Sequence, residues 1–247
     1  MKKVTFVACV AVGLLAVQPA HAFTPPPATE VSVRHASGAH QGWNGQVGPA
    51  LSLSKLYLGY WVLHNGSEAD KALVEPMIRT SDDGLASQLG SRYPNAIADI
   101  ARDFGLHETM PAAYWGDTRT SMADITYFLY QIESDPVAEP LRQGMRNAAP
   151  IAADGFPQNY GTGTLPGVQG TKYGWSDDRR SWTASASFGP GFYVAARTAG
   201  PAEQLTHDIQ GVPLPVAHAP AIPGVPGSSM PQLQLPVVPL PEIPGSS

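Results

Sequence analysis

The chain has one cysteine, no cluster of basic residues and no apolar run long enough to cross a bilayer. Cys9 lies within the first 22 residues, which read as a cleaved leader. The remainder therefore has no disulfide, thiol nucleophile or cysteine-held metal, and must rely on an ordinary apolar core. Of the 15 Lys and Arg, Lys2 and Lys3 belong to the leader; 13 remain against 20 Asp and Glu, which moves the formal charge from −5 to −7. That balance argues against a nucleic-acid partner. The apolar run over residues 4–17 is shorter than the roughly 20 residues of a membrane span, and Lys55 interrupts the next candidate. A phosphate-cradling glycine loop and a Gly-x-Ser-x-Gly elbow are also missing, which disfavours nucleotide chemistry and the α/β-hydrolase route. The seven histidines are scattered, and His35 with His40 is the only close pair, so neither a metal nor another cofactor is expected.

What is present divides the chain into four parts. Residues 1–22 combine a basic start, an apolar stretch and the small-x-small site Ala20-His21-Ala22, the pattern of a secretory signal peptide. The mature protein is expected to begin near Phe23 and to work outside the cytoplasmic membrane, in the cell envelope or beyond. Residues 23–29 read as a short linker, residues 30–200 as one globular domain of roughly 170 residues, and residues 201–247 as a Pro-rich disordered or extended tail.

Within the domain, residues 30–35 alternate as a strand, with a turn or short second strand around Trp43. Residues 51–64 are apolar on nearly every side, which predicts a buried helix ending at Asn65-Gly66. Ser67 with Asp70 and Ser121 with Asp124 open two further helices as capping boxes. Pro94 starts another, which Gly105 stops. Trp182, Ala184, Ala186 and Phe188 alternate with polar residues before Gly189-Pro190-Gly191, so a hairpin follows, and residues 171–175 add a third antiparallel strand. Strands at both ends and helices between them predict an α+β fold whose ends share one antiparallel sheet.

Ser52-Leu53-Ser54-Lys55 heads the buried helix, and the i, i+3 spacing places Ser52 and Lys55 on one face. A serine hydroxyl needs a base, and lysine serves as one only when its surroundings lower its pKa. Ser-x-x-Lys alone is a weak signal, equally at home at the start of a solvated helix. Here, however, Lys55 interrupts an apolar run, where an unpaired charge would cost several kcal/mol. Ser81-Asp82-Asp83 and Lys172-Tyr173-Gly174 follow in order. Together the three elements resemble S-x-x-K, S-D-N and K-T-G of the β-lactamase and penicillin-binding-protein (D,D-peptidase) superfamily. The likeness extends over residues 77–89, 120–124 and 170–175, and is similar to small secreted actinobacterial members.

The resemblance implies a β-lactamase/transpeptidase-like fold with Ser52 as nucleophile and Lys55 as base. It implies Ser81 as proton shuttle, Lys172 as positive charge, and the backbone N–H groups of Ser52 and Trp175 as oxyanion hole. Asp83, Tyr173, Gly174 and Trp175 would border the substrate. Three departures stand out. Asp83 replaces an asparagine and cannot donate a hydrogen bond when ionised. Tyr173 replaces the threonine or serine that helps bind a substrate carboxylate. No Glu-x-x-Leu-Asn follows, so the family's deacylating glutamate is missing. A long-lived acyl-enzyme is therefore expected.

The sequence thus predicts a secreted serine acyl hydrolase or acyltransferase, monomeric, acting on a cell-envelope amide or ester. A second reading is a catalytically silent protein of the same fold that binds an envelope component through the cleft, and a third is an interaction protein that works through the tail.

Overall fold

The computed structural model describes residues 23–215. The elements in chain order are β1 (Thr29–His35), β2 (His40–Trp43), β3 (Gly48–Pro49), α1 (Ser54–Asn65), α2 (Glu68–Lys71), α3 (Val74–Thr80), α4 (Asp83–Arg92) and α5 (Ala96–Asp103). They continue with β4 (Arg119–Thr120), α6 (Met122–Gln131), α7 (Glu139–Arg146), β5 (Gly170–Trp175), β6 (Thr183–Gly189), β7 (Phe192–Thr198) and α8 (Ala202–Asp208). The main sheet has the order β2-β1-β7-β6-β5 with antiparallel pairing throughout, so the first and last strands are neighbours. The expected α+β architecture is present, with the helices in the middle of the chain.

Strand alternation decides what each face of the sheet carries. One face presents Ala184, Ala186, Phe188, Tyr193 and Ala195 to a helical core built on Leu53, Leu56, Tyr57, Met77, Ile78 and Phe128. Helix α6 lies against β1 and β7 and helix α7 against β5, and α1 is buried along most of its length. The forward half of each capping box forms: Ser67 and Ser121 accept hydrogen bonds from the backbone N–H groups of Asp70 and Asp124. The opposite face buries Val31, Val33, Tyr173, Phe192, Val194 and Ala196 under Phe156, Tyr160 and α8.

Helix α8 corrects the sequence-based boundary at residue 200. Ala202, Leu205 and Ile209 are buried on one side of α8 and the residue after it, and Asp208 accepts a hydrogen bond from Thr29 Oγ1 at 2.5 Å. Pro201 at the N-cap lacks an N–H that a helix start would leave unpaired anyway, so the proline that signals a tail here opens a helix. At the other end, Phe23 packs edge-on against Trp43 at 5.0 Å, so the expected linker over residues 23–29 is tied to β2. The leader and the segment beyond residue 215 lie outside the described residues. Among the described residues, no helix is long and apolar enough to cross a membrane.

A buried ion pair locks the sheet to the loop that leads into α1. Arg197 donates to Glu30 Oε2 at 2.6 Å and to the carbonyls of Gln46, Pro49 and Thr120 at 2.7, 3.2 and 2.7 Å. Gly48 makes room for it, since a Cβ there would stand 2.7 Å from the guanidinium carbon. Burial pushes the Glu30 carboxyl up to about 7 against the opposing pull of Arg197.

Candidate active site

The chain enters α1 through a 3-10 turn over Leu51–Leu53, with Leu51 in the left-handed conformation at φ 53°. A non-glycine residue held there costs of order 1 kcal/mol, and it sits directly before Ser52. Ser54 turns back to donate to the Leu51 carbonyl at 2.8 Å, which leaves Ser52 as the hydroxyl facing Lys55. Lys55 Nζ is 3.0 Å from Ser52 Oγ, one helical turn on, as the spacing predicts.

The second wall is the break between α3 and α4. Ser81 caps α3 in the left-handed conformation, with φ 55° and ψ 36°. This turn aims its carbonyl and hydroxyl at Lys55, at 2.7 and 3.3 Å. Asp82 then caps α4 by accepting from Leu85 N–H, and Asp83 at the first helical position meets Lys55 Nζ with Oδ1 at 2.5 Å. Lys55 is fully buried, whereas the Asp83 side chain is 59% exposed.

The third wall is β5, the edge strand. Lys172 projects to the helical face and donates to Ser81 Oγ at 2.6 Å and to the Tyr173 carbonyl at 2.8 Å. Ser81 Oγ is therefore shared by two buried lysine side chains. Gly174 lies on the same face, where a Cβ would come within 3.0 Å of both Leu51 Cβ and Ser52 N. Only glycine lets β5 close on the turn that carries Ser52. Ser176 N–H donates to Trp182 across the end of the β5–β6 ladder, and ladder groups alternate along a strand. Trp175 and Tyr173 consequently turn their backbone groups to the open edge, beside Ser52.

Burial lowers the pKa of Lys55, and Asp83 is the main opposing influence, followed by Asp82 and Asp154. Burial, reinforced by the charge of Lys55, holds Lys172 well below the ordinary lysine range. As ammonium, Lys55 donates to Ser52 Oγ; as neutral amine it could accept the Ser52 proton.

Of the residues singled out from sequence, Ser52, Lys55, Ser81, Asp83 and Lys172 meet in one cluster, with the Gly174 and Trp175 backbone at its edge. Tyr173 does not join them through its side chain. Adjacent strand residues point to opposite faces, so with Lys172 turned inward Tyr173 packs under Tyr160 on the far side, 6% exposed. Only its carbonyl reaches the cluster. Two neighbours stand out more clearly in the structure than in the sequence. The Trp115 ring lies 4.5 Å from Lys55 Nζ and anchors its indole N–H on Ser87 Oγ at 3.1 Å. Asp154 accepts from Trp175 Nε1 and from Phe156 N–H, both at 2.9 Å, and lies near enough to act electrostatically on both lysines. Gly155, with φ 86° between Asp154 and Phe156, is the local cue to this turn. Among the described residues, no group of three or more His, Asp or Glu side chains is placed to hold a metal ion.

No protein-family profile matches the chain, and no curated protein matches it. Solved structures do. Penicillin-binding protein D2 from Listeria monocytogenes, in its cefotaxime-bound form, is 19% identical over 77% of this chain and 96% of its own, with a TM-score of 0.57. An ancestral class A β-lactamase is 16% identical over 76% of this chain and 91% of its own, with a TM-score of 0.56. The β-lactamase from Streptomyces albus G is 16% identical over 69% of this chain and 84% of its own, with a TM-score of 0.55. The chain has the β-lactamase/penicillin-binding-protein fold.

Proposed function

We propose that the protein is a serine acyl hydrolase or acyltransferase of the penicillin-recognising type, acting on a cell-envelope amide or ester. The observation that carries this reading is the continuous contact from Ser52 Oγ through Lys55 Nζ to Ser81 Oγ and Lys172 Nζ, at 3.0, 3.3 and 2.6 Å. Neutral Lys55 takes the Ser52 proton as Oγ bonds to the substrate carbonyl carbon. The carbonyl oxygen becomes an oxyanion held by the Ser52 and Trp175 N–H groups, each donor of this kind being worth about 3 kcal/mol. The bond to the leaving group then breaks as Ser81 Oγ–H protonates it, and a proton from Lys172 or Lys55 restores Ser81. A water or an amine attacks the acyl-Ser52 carbonyl and gives its proton to the lysine pair; the bond from the carbonyl carbon to Oγ then breaks as that proton returns to Ser52, which releases the product.

Lys55 must be neutral when it acts, and its burial favours that state while Asp83 opposes it. The Lys55 to Asp83 contact at 2.5 Å supports a second reading, a catalytically silent protein that binds an envelope component in the same cleft. Intact-mass spectrometry of the protein and of Ser52→Ala after exposure to a fluorophosphonate and to a panel of penicillins separates the two. The catalytic reading expects a Ser52-dependent adduct, and a folded protein that takes none from either reagent belongs to the silent class. The leader-like residues 1–22 support an extracytoplasmic location; N-terminal sequencing of the exported protein should begin at Phe23, and an intact Met1 would argue against it.

A further inference from the structure

Asp83 has two oxygens and only one is engaged. Oδ1 meets Lys55, while Oδ2 has no partner among the described residues, on a side chain 59% exposed beside a lysine with no exposure. An ionised carboxylate accepts hydrogen bonds and donates none. Whatever part of a substrate lies against Oδ2 must therefore bring the proton.

A second carboxylate flanks the cleft. Asp154 stands on the β5 side, 42% exposed, held by Trp175 and Phe156. The positive groups that could offset these carboxylates are occupied. Lys172 is fully buried and already donates to Ser81 Oγ and the Tyr173 carbonyl. Arg179 donates to the Asp154 backbone carbonyl at 2.8 Å and lies 3.8 Å from its carboxylate. The Tyr173 hydroxyl, on the far face of the sheet, cannot meet a substrate anion at all. A carboxylate on the substrate would approach two partly exposed acids.

We infer that the cleft selects acyl groups that carry an N–H donor or an ammonium within reach of Asp83, the specificity-determining residue, and discriminates against anionic ones. This rests on the acyl-transfer reading and adds the substrate class.

The test uses three 4-nitrophenyl esters of matched length with cationic, neutral and anionic acyl ends: 6-aminohexanoate, hexanoate and the monoester of adipate. Acylation of Ser52 is followed by nitrophenolate release and intact mass on wild type and Asp83→Asn. A charge-assisted hydrogen bond predicts that wild type prefers the cationic over the anionic ester by about tenfold or more, and that Asp83→Asn reduces the ratio to about threefold or less. Because the ratio compares substrates on one enzyme, any general effect of Asp83→Asn on Lys55 cancels. Equal wild-type rates, or a ratio unchanged in Asp83→Asn, would overturn the inference. Binding of 6-aminohexanamide and adipamate to Ser52→Ala, read by tryptophan fluorescence, reports the same preference without chemistry. Absence of acylation with the binding preference retained would refute the catalytic reading alone. Acylation without preference would refute this inference alone, and loss of both would refute both.

Discussion

Lys55 and Asp83 form an ion pair across the accessibility boundary of the protein: the ammonium is fully buried, and the carboxylate that meets it at 2.5 Å is 59% exposed. Burial lowers the pKa of Lys55, and Asp83 is the largest influence holding it up. The strength of the proposed base is thus set by a side chain that solvent can reach.

Replacing Asp83 with Asn removes that influence. The folded pKa of Lys55 should fall further, so its neutral form becomes available at lower pH. The midpoint of the pH profile for Ser52 labelling by a fluorophosphonate should move down by about one pH unit. An unmoved midpoint would mean that Lys55 is not the base in that step.

Lys172 provides a separate pH test, this time of stability. Its folded pKa lies well below that of a free lysine, so between the two values the unfolded chain binds more protons than the folded one. Stability therefore rises with pH across that window. Urea unfolding between about pH 6.5 and about pH 9 should show wild type gaining on Lys172→Met by roughly 1 kcal/mol or more. Parallel stabilities for the two proteins would contradict the depressed value.

Gly174 should be intolerant of a side chain for a local reason. A Cβ 3.0 Å from Ser52 N forces β5 away from the turn that carries the serine. Gly174→Val should slow Ser52 acylation by about a hundredfold, the scale of losing one oxyanion donor, with a much smaller change in thermal midpoint. Rates within about threefold of wild type would show that β5 and Ser52 need not be in register.

The C-terminal boundary can be tested by truncation. A chain ending at residue 215 keeps α8, whereas one ending at residue 200 exposes the pocket of Leu205 and Ile209 and leaves Thr29 without Asp208. The longer form should unfold cooperatively near the full-length midpoint. The shorter should lose several kcal/mol, read by circular dichroism during heating. Equal midpoints would place α8 outside the cooperative unit.

These outcomes also show what the amino-acid order makes visible. Ser52 and Lys55 were readable because helical spacing turns a sequence interval into a shared face, and the hairpin was readable because alternation and a glycine turn are local. The orientation of Tyr173 was readable on the same grounds: once Lys172 faces inward, its neighbour faces outward. The family pattern suggested a substrate role that the strand geometry does not permit. Helix α8 was hidden by composition, since its few apolar positions lie between Pro201 and the proline-rich segment that follows. The Trp115 and Asp154 contacts depend on the path of irregular loops, and no periodic pattern encodes them.

The neighbouring placement of β1 and β7 sets an order of events for the nascent chain. The hydrogen bond between Thr29 and Thr198 joins residues 169 apart, and β1 has only the four-residue β2 as a partner until the hairpin arrives. Helices of the middle segment can form early, yet the sheet against which they pack is completed last. The step that seats β1 against β7 closes a long loop and should be slow, leaving an exposed strand edge while it is pending. Assembly of the Lys172 wall waits on the same event, so Ser52 acquires its full surroundings only once nearly all of the folded chain has been made.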